Sequence, residues 1–232
     1  MRLDRFLAQH TQHGRRGIRP MLAAGRVSVD GIVEKDTQRE VGEFTQVSLD
    51  GEILRHTKAI YLMMHKPAGY LSATIDAQHP TVIELIDKDH IPEKLHIAGR
   101  LDRATTGLLI LTNDGKWSRL LTEPKEGVPK VYQVETADPI TPETHSLFQQ
   151  GIYFAYEDLT TQPAKLEILD PAQSHQCRLT IYEGRYHQVK RMFHAAGNRV
   201  TALHRISVGA ITLDADLKLG EYRTLTESEI QG

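Results

Sequence analysis

The residues best suited to chemistry lie in one short stretch, Gly99-Arg100-Leu101-Asp102-Arg103-Ala104-Thr105-Thr106-Gly107. One carboxylate sits between two arginines, with a glycine at each end and the apolar run Leu108-Leu109-Ile110-Leu111 directly after it. Opposite charge nearby favours the ionised form of an acid, so the flanking arginines are expected to hold Asp102 charged. The glycines let the backbone turn sharply or approach a ligand closely. An ionised aspartate in such a loop can serve as a nucleophile or a base. The same residues also suit a local ion pair in a solvated loop, because structural pairs perturb acids too. The surrounding chain decides between the two.

The apolar run reads as a buried strand closed by the turn residues Asn113-Asp114-Gly115. Before it, Ile60-Tyr61-Leu62-Met63-Met64 is a strand ended by His65-Lys66-Pro67-Ala68-Gly69-Tyr70, since proline cannot donate to a ladder. Helices are predicted around 81–87 and 116–122, the latter stopped by Pro124. Lys130-Val131-Tyr132-Gln133-Val134 alternates as a strand. Thr141-Pro142-Glu143 opens a helix that Gly151 closes. Further strands fall at 164–169, 176–182, 200–205, 208–213 and 221–225, with a helix at 187–196. Upstream, residues 2–9 form a helix, and a second helix covers 18–24, where Pro20 fits only the first turn. Val27–Gly31 and Thr45–Gly51 each run as a strand into an Asp-Gly turn. Residues 55–60 read as a linker. The fold class is α+β, with a small N-terminal unit and a larger domain on a mostly antiparallel mixed sheet.

Composition agrees with a globular protein: 232 residues, 40% hydrophobic and 25% charged. No apolar run approaches the ~20 residues that span a bilayer. The start lacks the apolar core of a secretory signal, and Cys177 is the single cysteine. A cytoplasmic location is expected, with no membrane partner. The net charge of −2 hides its distribution. Residues 1–26 carry Arg2, Arg5, Arg15, Arg16, Arg19 and Arg26 against Asp4, and residues 176–210 carry Arg178, Arg185, Lys190, Arg191, Arg199 and Arg205 against Glu183. Two basic patches on a neutral body fit a polyanionic partner.

Arg2-Leu3-Asp4 and Gly25-Arg26-Val27-Ser28-Val29-Asp30-Gly31 resemble the S4 RNA-binding domain. That resemblance implies a domain over residues 1–56 whose RNA contacts include Arg2, Arg15, Arg16, Arg19 and Arg26. Its middle departs from the S4 pattern, because Gly14, Gly17 and Pro20 interrupt the second helix. From residue 61 to 232, four pieces in order resemble the pseudouridine synthases of the RsuA type: Lys66-Pro67-Ala68-Gly69-Tyr70, Gly99-Arg100-Leu101-Asp102-Arg103, Lys130-Val131-Tyr132, and Glu183-Gly184-Arg185-Tyr186-His187-Gln188-Val189-Lys190-Arg191. By that resemblance Asp102 is the catalytic aspartate. Tyr132 stacks on the target base and aids proton removal, and Lys190 is the basic partner of the aspartate, in place of an arginine in many relatives. Leu203 packs on the uracil, and Arg103 and Arg185 contact the substrate strand. Arg103 is the candidate flipping wedge, and Arg100 props the loop from behind.

The implied reaction isomerises uridine in ribosomal RNA to pseudouridine. The N1–C1′ bond breaks, the uracil turns, and it rejoins through C5. Attack of the aspartate on C1′, attack on C6, and removal of the 2′ proton all suit a carboxylate. Nothing leaves the substrate, so no cofactor is expected. His187, His194 and His204 lack metal-ligand spacing, so no metal is expected either. The absence of a long basic extension after the catalytic fold favours 16S (small-subunit) rRNA, met within an assembly intermediate, over 23S rRNA. The alternative of another class is a non-catalytic RNA-binding assembly factor. A glycosidase would ordinarily need two carboxylates. No dimerisation signal is visible, so a monomer is expected.

Overall fold

A computed structural model of the chain describes residues 1–87, 95–170 and 174–232, with the side chains of Arg15 and Glu126 also outside the described set. The chain divides into two compact units, Met1–Ala59 and Ile60–Gly232. Among the described residues, no helix is long and apolar enough to cross a membrane.

The first unit contains α1 (Leu3–His10), α2 (Arg15–Ala23), β1 (Val27–Val29), β2 (Ile32–Val33), β3 (Val47–Leu49) and β4 (Glu52–Arg55). The strands form one antiparallel sheet in the order β2-β1-β3-β4. Both hairpins turn on Asp-Gly: Asp30 and Gly31 have φ of 50° and 80°, Asp50 and Gly51 have 51° and 85°. Positive φ at both central residues is what a two-residue hairpin needs, and Asp-Gly supplies it with little strain. Helix α2 begins three residues earlier than the sequence predicts, so Pro20 lies in its interior rather than its first turn. Packing outweighs that defect: Ile18, Met21 and Leu22 are buried with Leu3, Phe6, Leu7 and Val27.

The second unit contains β5 (Tyr61–Lys66), β6 (His96–Ala98), β7 (Thr106–Thr112), α3 (Gly115–Thr122), β8 (Lys130–Thr136), α4 (Pro142–Gln150), β9 (Tyr153–Phe154) and β10 (Leu159–Thr160). It continues with β11 (Lys165–Ile168), β12 (Gln176–Ile181), α5 (Gln188–Ala195), β13 (Val200–Val208), β14 (Ile211–Thr212), β15 (Tyr222–Thr224) and α6 (Glu227–Gln231). A mixed sheet of nine strands runs β11-β12-β8-β13-β7-β5-β15, with β14 on β13 and β6 on β7. Within it β13 and β7 pair in parallel, and the other pairs are antiparallel.

Strand β7 is apolar from Leu108 to Leu111 because both of its faces are covered there. Leu109 and Leu111 enter one core with Val134, Leu179, Phe148 and Phe193, while Leu108 and Ile110 enter another with Met63, Val208 and Leu225. Helices α4 and α5 cover the first face, where Phe148 and Phe193 meet edge to face at 4.9 Å. Helix α3 covers the second through Trp117. Its start is fixed by Asp114, whose carboxylate accepts from the amides of Lys116 and Trp117.

The predicted 81–87 helix is a short 3₁₀ turn, Val82–Leu85. Strand β5 runs on through His65 and Lys66, which the sequence reading assigned to the turn. The two predicted segments 200–205 and 208–213 become the long strand β13 and the short β14.

Candidate active site

A cleft of about 600 Å³ opens in the second unit. The loop 99–105 forms one wall; β8, β12 and β13 supply Tyr132, Ile181 and Leu203; the turn 184–187 and the first residues of α5 form the other wall. All six residues assigned to catalysis or substrate binding from sequence line it: Asp102, Arg103, Tyr132, Arg185, Lys190 and Leu203.

The loop is held through its main chain. Arg205, 1% exposed on β13, donates from Nε to the Leu108 carbonyl at 2.8 Å, from Nη2 to Gly99 at 2.8 Å and from Nη1 to Arg100 at 3.5 Å. Lys66, fully buried at the end of β5, donates from Nζ to the carbonyls of Pro67 at 2.9 Å, Arg103 at 3.3 Å and Thr105 at 2.9 Å. The Ser72 hydroxyl donates to the Leu101 carbonyl at 2.7 Å and accepts from its amide at 3.0 Å. Burial pushes the Lys66 ammonium down to about 8; the Asp102 charge opposes that shift and the Arg205 charge adds to it. Lys130, 4% exposed on β8, is lowered by the same two effects, burial first and then Arg205.

Gly107 lets the loop meet the sheet. Its φ is +109°, and a Cβ there would lie 2.3 Å from the Arg205 carbonyl oxygen and 2.5 Å from its amide nitrogen. The parallel pairing of Gly107 with Arg205 therefore depends on a missing side chain.

Above this support the Asp102 carboxylate is one-quarter exposed and meets two groups from the start of α5. Lys190 Nζ donates to Oδ2 at 2.8 Å, and His187 Nε2 lies 3.3 Å from Oδ1. Residues three apart share a helix face, so the N-cap His187 and Lys190 reach the same acid. His187 adopts a left-handed φ of 48°, a conformation uncommon outside glycine. The expectation that Arg100 and Arg103 hold Asp102 is thus corrected: the partners come from α5, 85 or more residues away in sequence. Arg103 instead donates from Nε to the Gly69 carbonyl at 3.0 Å. The prop assigned to Arg100 is Arg205.

Lys190 and Arg191 separate cleanly. Arg191 turns away to grip Glu157 at 2.6 and 2.7 Å, with Phe154 lying 3.6 Å below its guanidinium. Arg185 is fixed by Glu183, a 2%-exposed carboxylate that accepts from Arg185 Nε at 2.9 Å, from the Gln162 amide at 2.9 Å and from Gln188 Nε2 at 3.0 Å. Tyr132 and Leu203 are both nearly buried at the apolar end of the cleft. The arrangement offers a compensated but accessible carboxylate beside an apolar and aromatic slot, rimmed by cations. That suits reaction at a flat, uncharged ring carried on a phosphate backbone.

In the first unit a second cleft, of about 560 Å³, is lined by Arg2, Asp4, Arg5, Arg16, Ile18, Arg19 and Thr37. Three of the arginines nominated from sequence, Arg2, Arg16 and Arg19, line it together with Arg5, which was not nominated. Arg26 lies apart, paired with Asp50 through Nε at 2.9 Å. The Arg15 side chain falls outside the described residues. Sequence reasoning also gave no role to Arg205 and His187, which line the cleft, or to Lys66, which holds its loop from below. A buried lysine at the end of an apolar strand was the one available signal.

Fold and cleft together define an enzyme that modifies bases within RNA. Residues 60–195 match the RNA pseudouridylate synthase family, and the chain belongs to that family. It is 49% identical to the "Ribosomal small subunit pseudouridine synthase A" of Pseudomonas aeruginosa over 99% of both chains. It is 45% identical to the protein of the same name from Escherichia coli K12, over 99% of this chain and 98% of the relative. A solved structure described as a pseudouridylate synthase superposes with a TM-score of 0.71 at 40% identity, covering 100% of this chain and 98% of the other.

Proposed function

We propose that this enzyme converts one uridine of small-subunit (16S) ribosomal RNA to pseudouridine, with Asp102 as the group that acts on the nucleoside. The observation that carries the reading is the Asp102 carboxylate, bonded at 2.8 Å to Lys190 and open to a cleft whose apolar end is Tyr132 and Leu203. The choice of the small subunit is supported by the names of relatives that align along nearly the whole chain.

The target uridine leaves its stack, which costs roughly a few kcal/mol, and enters the slot beside Tyr132 and Leu203. Arg103 and Arg185 at the rim meet phosphates and fill the space the base vacates. Asp102 then acts at C1′, at C6 or on the 2′ proton, and the N1–C1′ bond breaks. Lys190 keeps the carboxylate in place and balances its charge as the detached uracil carries the electrons of the broken bond. The ring turns, C5 bonds to C1′, and the C5 proton is removed while N1 gains one. The Tyr132 side chain lies on the ring's face and helps move that proton. No atom is gained or lost overall, so the residues named are sufficient without a cofactor.

The first unit acts as an S4-like RNA-binding domain, its cleft of Arg2, Arg5, Arg16 and Arg19 gripping the RNA backbone. The enzyme works as a monomer in the cytoplasm, on an assembly intermediate of the small subunit.

The test is a map of pseudouridines in 16S and 23S rRNA from cells lacking the protein and from cells in which it is restored. One 16S position should lose its pseudouridine and regain it. A change confined to 23S rRNA would overturn the small-subunit assignment, and no change in either RNA would overturn the enzymatic one.

A further inference from the structure

Tyr186 is the exposed aromatic at the cleft that the reaction scheme does not use. Its side chain is placed with care. The ring stacks on His187 with centroids 3.9 Å apart and planes 17° from parallel. His187 in turn is set by its left-handed backbone and by Asp102 Oδ1 at 3.3 Å. The Tyr186 carbonyl accepts from Arg191 Nη1 at 3.3 Å, and Arg191 is itself locked by Glu157. Main chain and ring are therefore both fixed, yet the residue remains 74% exposed. An aromatic held so firmly with one broad face left bare gains nothing from burial, so its orientation calls for an occupant.

We propose that the Tyr186–His187 stack is a binding step for an unpaired nucleobase, the one next to the target uridine in the RNA strand. The inference rests on the functional reading above. A strand that delivers one base into the cleft must run past its rim on either side, and both Tyr186 and His187 line that cleft. Every base presents a flat π-face, so a tyrosine platform accepts the neighbour without demanding its identity. Charge agrees with that occupant: Arg185, one residue before the platform, is held by Glu183 through Nε and sits at the cleft for the adjoining phosphate, whereas Arg191 gives both Nη atoms to Glu157 and serves as a strut. Because His187 touches both Tyr186 and Asp102, a base seated on the bare face of Tyr186 completes a three-ring stack that steadies the imidazole beside Oδ1. Tyr186 thus acts on binding, and His187 positions the aspartate.

The experiment measures pseudouridine formation on unmodified 16S rRNA by wild type, Tyr186→Ala and Tyr186→Phe, with Asp102→Asn as the inactive control. Stacking of one base predicts that Tyr186→Ala raises KM about tenfold. Its kcat should fall by less than about threefold, because the platform acts on binding and not on the bond that breaks. Tyr186→Phe should match wild type, since the face and not the hydroxyl does the binding. In parallel, the Tyr186→Trp variant should show fluorescence above the Trp117 background that is quenched by the same RNA. An unchanged KM for Tyr186→Ala, a Tyr186→Phe variant as impaired as Tyr186→Ala, or an unquenched tryptophan would each overturn the inference. If wild type forms product and Asp102→Asn does not, such a failure touches the platform alone. If wild type forms none on 16S rRNA, either free or within a small-subunit assembly intermediate, the functional reading fails and the platform with it.

Discussion

Lys66 and Lys190 both reach the segment that carries Asp102, one through its main chain and the other through its side chain. Lys66 is fully buried and spends its three donors on the carbonyls of Pro67, Arg103 and Thr105. Lys190 stays about one-third exposed and meets the Asp102 carboxylate. The same division runs through the arginines: Arg205 is buried against Gly99, Arg100 and Leu108, while Arg185 and Arg103 stand at the rim. A buried cation is costly unless its donors are satisfied, and main-chain oxygens satisfy these without quenching the nearby acid. The floor thus uses positive charge to hold a loop in shape. The mouth keeps it where a polyanion can reach it.

If that division is right, floor substitutions should cost stability and mouth substitutions activity. The largest effect is expected at Gly107, where any Cβ would overlap the Arg205 backbone and φ is +109°. Gly107→Ala should destabilise the protein by about 4 kcal/mol, read from a urea unfolding curve. Arg205→Met, which orphans buried carbonyls, should cost about 3 kcal/mol by the same measurement and lower activity in step. Lys190→Met should do the reverse, lowering kcat by about 10²-fold while the unfolding curve moves by less than about 1 kcal/mol.

A pH dependence of the floor sharpens the comparison. Lys66 titrates at about 8 in the folded protein, against 10.5 when unperturbed, so the unfolded chain binds more protons between those values. Wild-type stability relative to Lys66→Met should therefore rise as the pH goes from about 8 to 10.5 and stay flat below 8. Thermal melts of the two proteins across that range check the slope. A difference that falls with pH would place the lysine outside a desolvated floor.

Local chemistry made much of this legible in the sequence. The Asp30-Gly31 and Asp50-Gly51 hairpins, the Thr141 cap and the stop at Gly151 depend on neighbours in the chain, and each lies where its residues indicate. The unbroken apolar run of β7 implied a strand covered on both faces. What joins distant segments was not legible. Nothing near Arg205 in sequence reveals that it lies under Gly99, and nothing near His187 reveals that a left-handed backbone turns its ring to Asp102. The two arginines beside Asp102 misled for the same reason: adjacency in the chain is not adjacency in space. Pro20 misled differently, since helix α2 tolerates it through the burial of Ile18, Met21 and Leu22.

The central claim is that Asp102 performs the isomerisation and that the rest of the cleft presents a uridine to it. The direct measurement compares wild type and Asp102→Asn on unmodified 16S rRNA, following pseudouridine formation and RNA affinity together. Asparagine keeps the size of the side chain and one accepting oxygen but removes its charge. The account predicts that product formation falls by at least about 10⁴-fold while the RNA Kd changes by less than about threefold. An Asp102→Asn enzyme that still forms pseudouridine at a rate near wild type would contradict it.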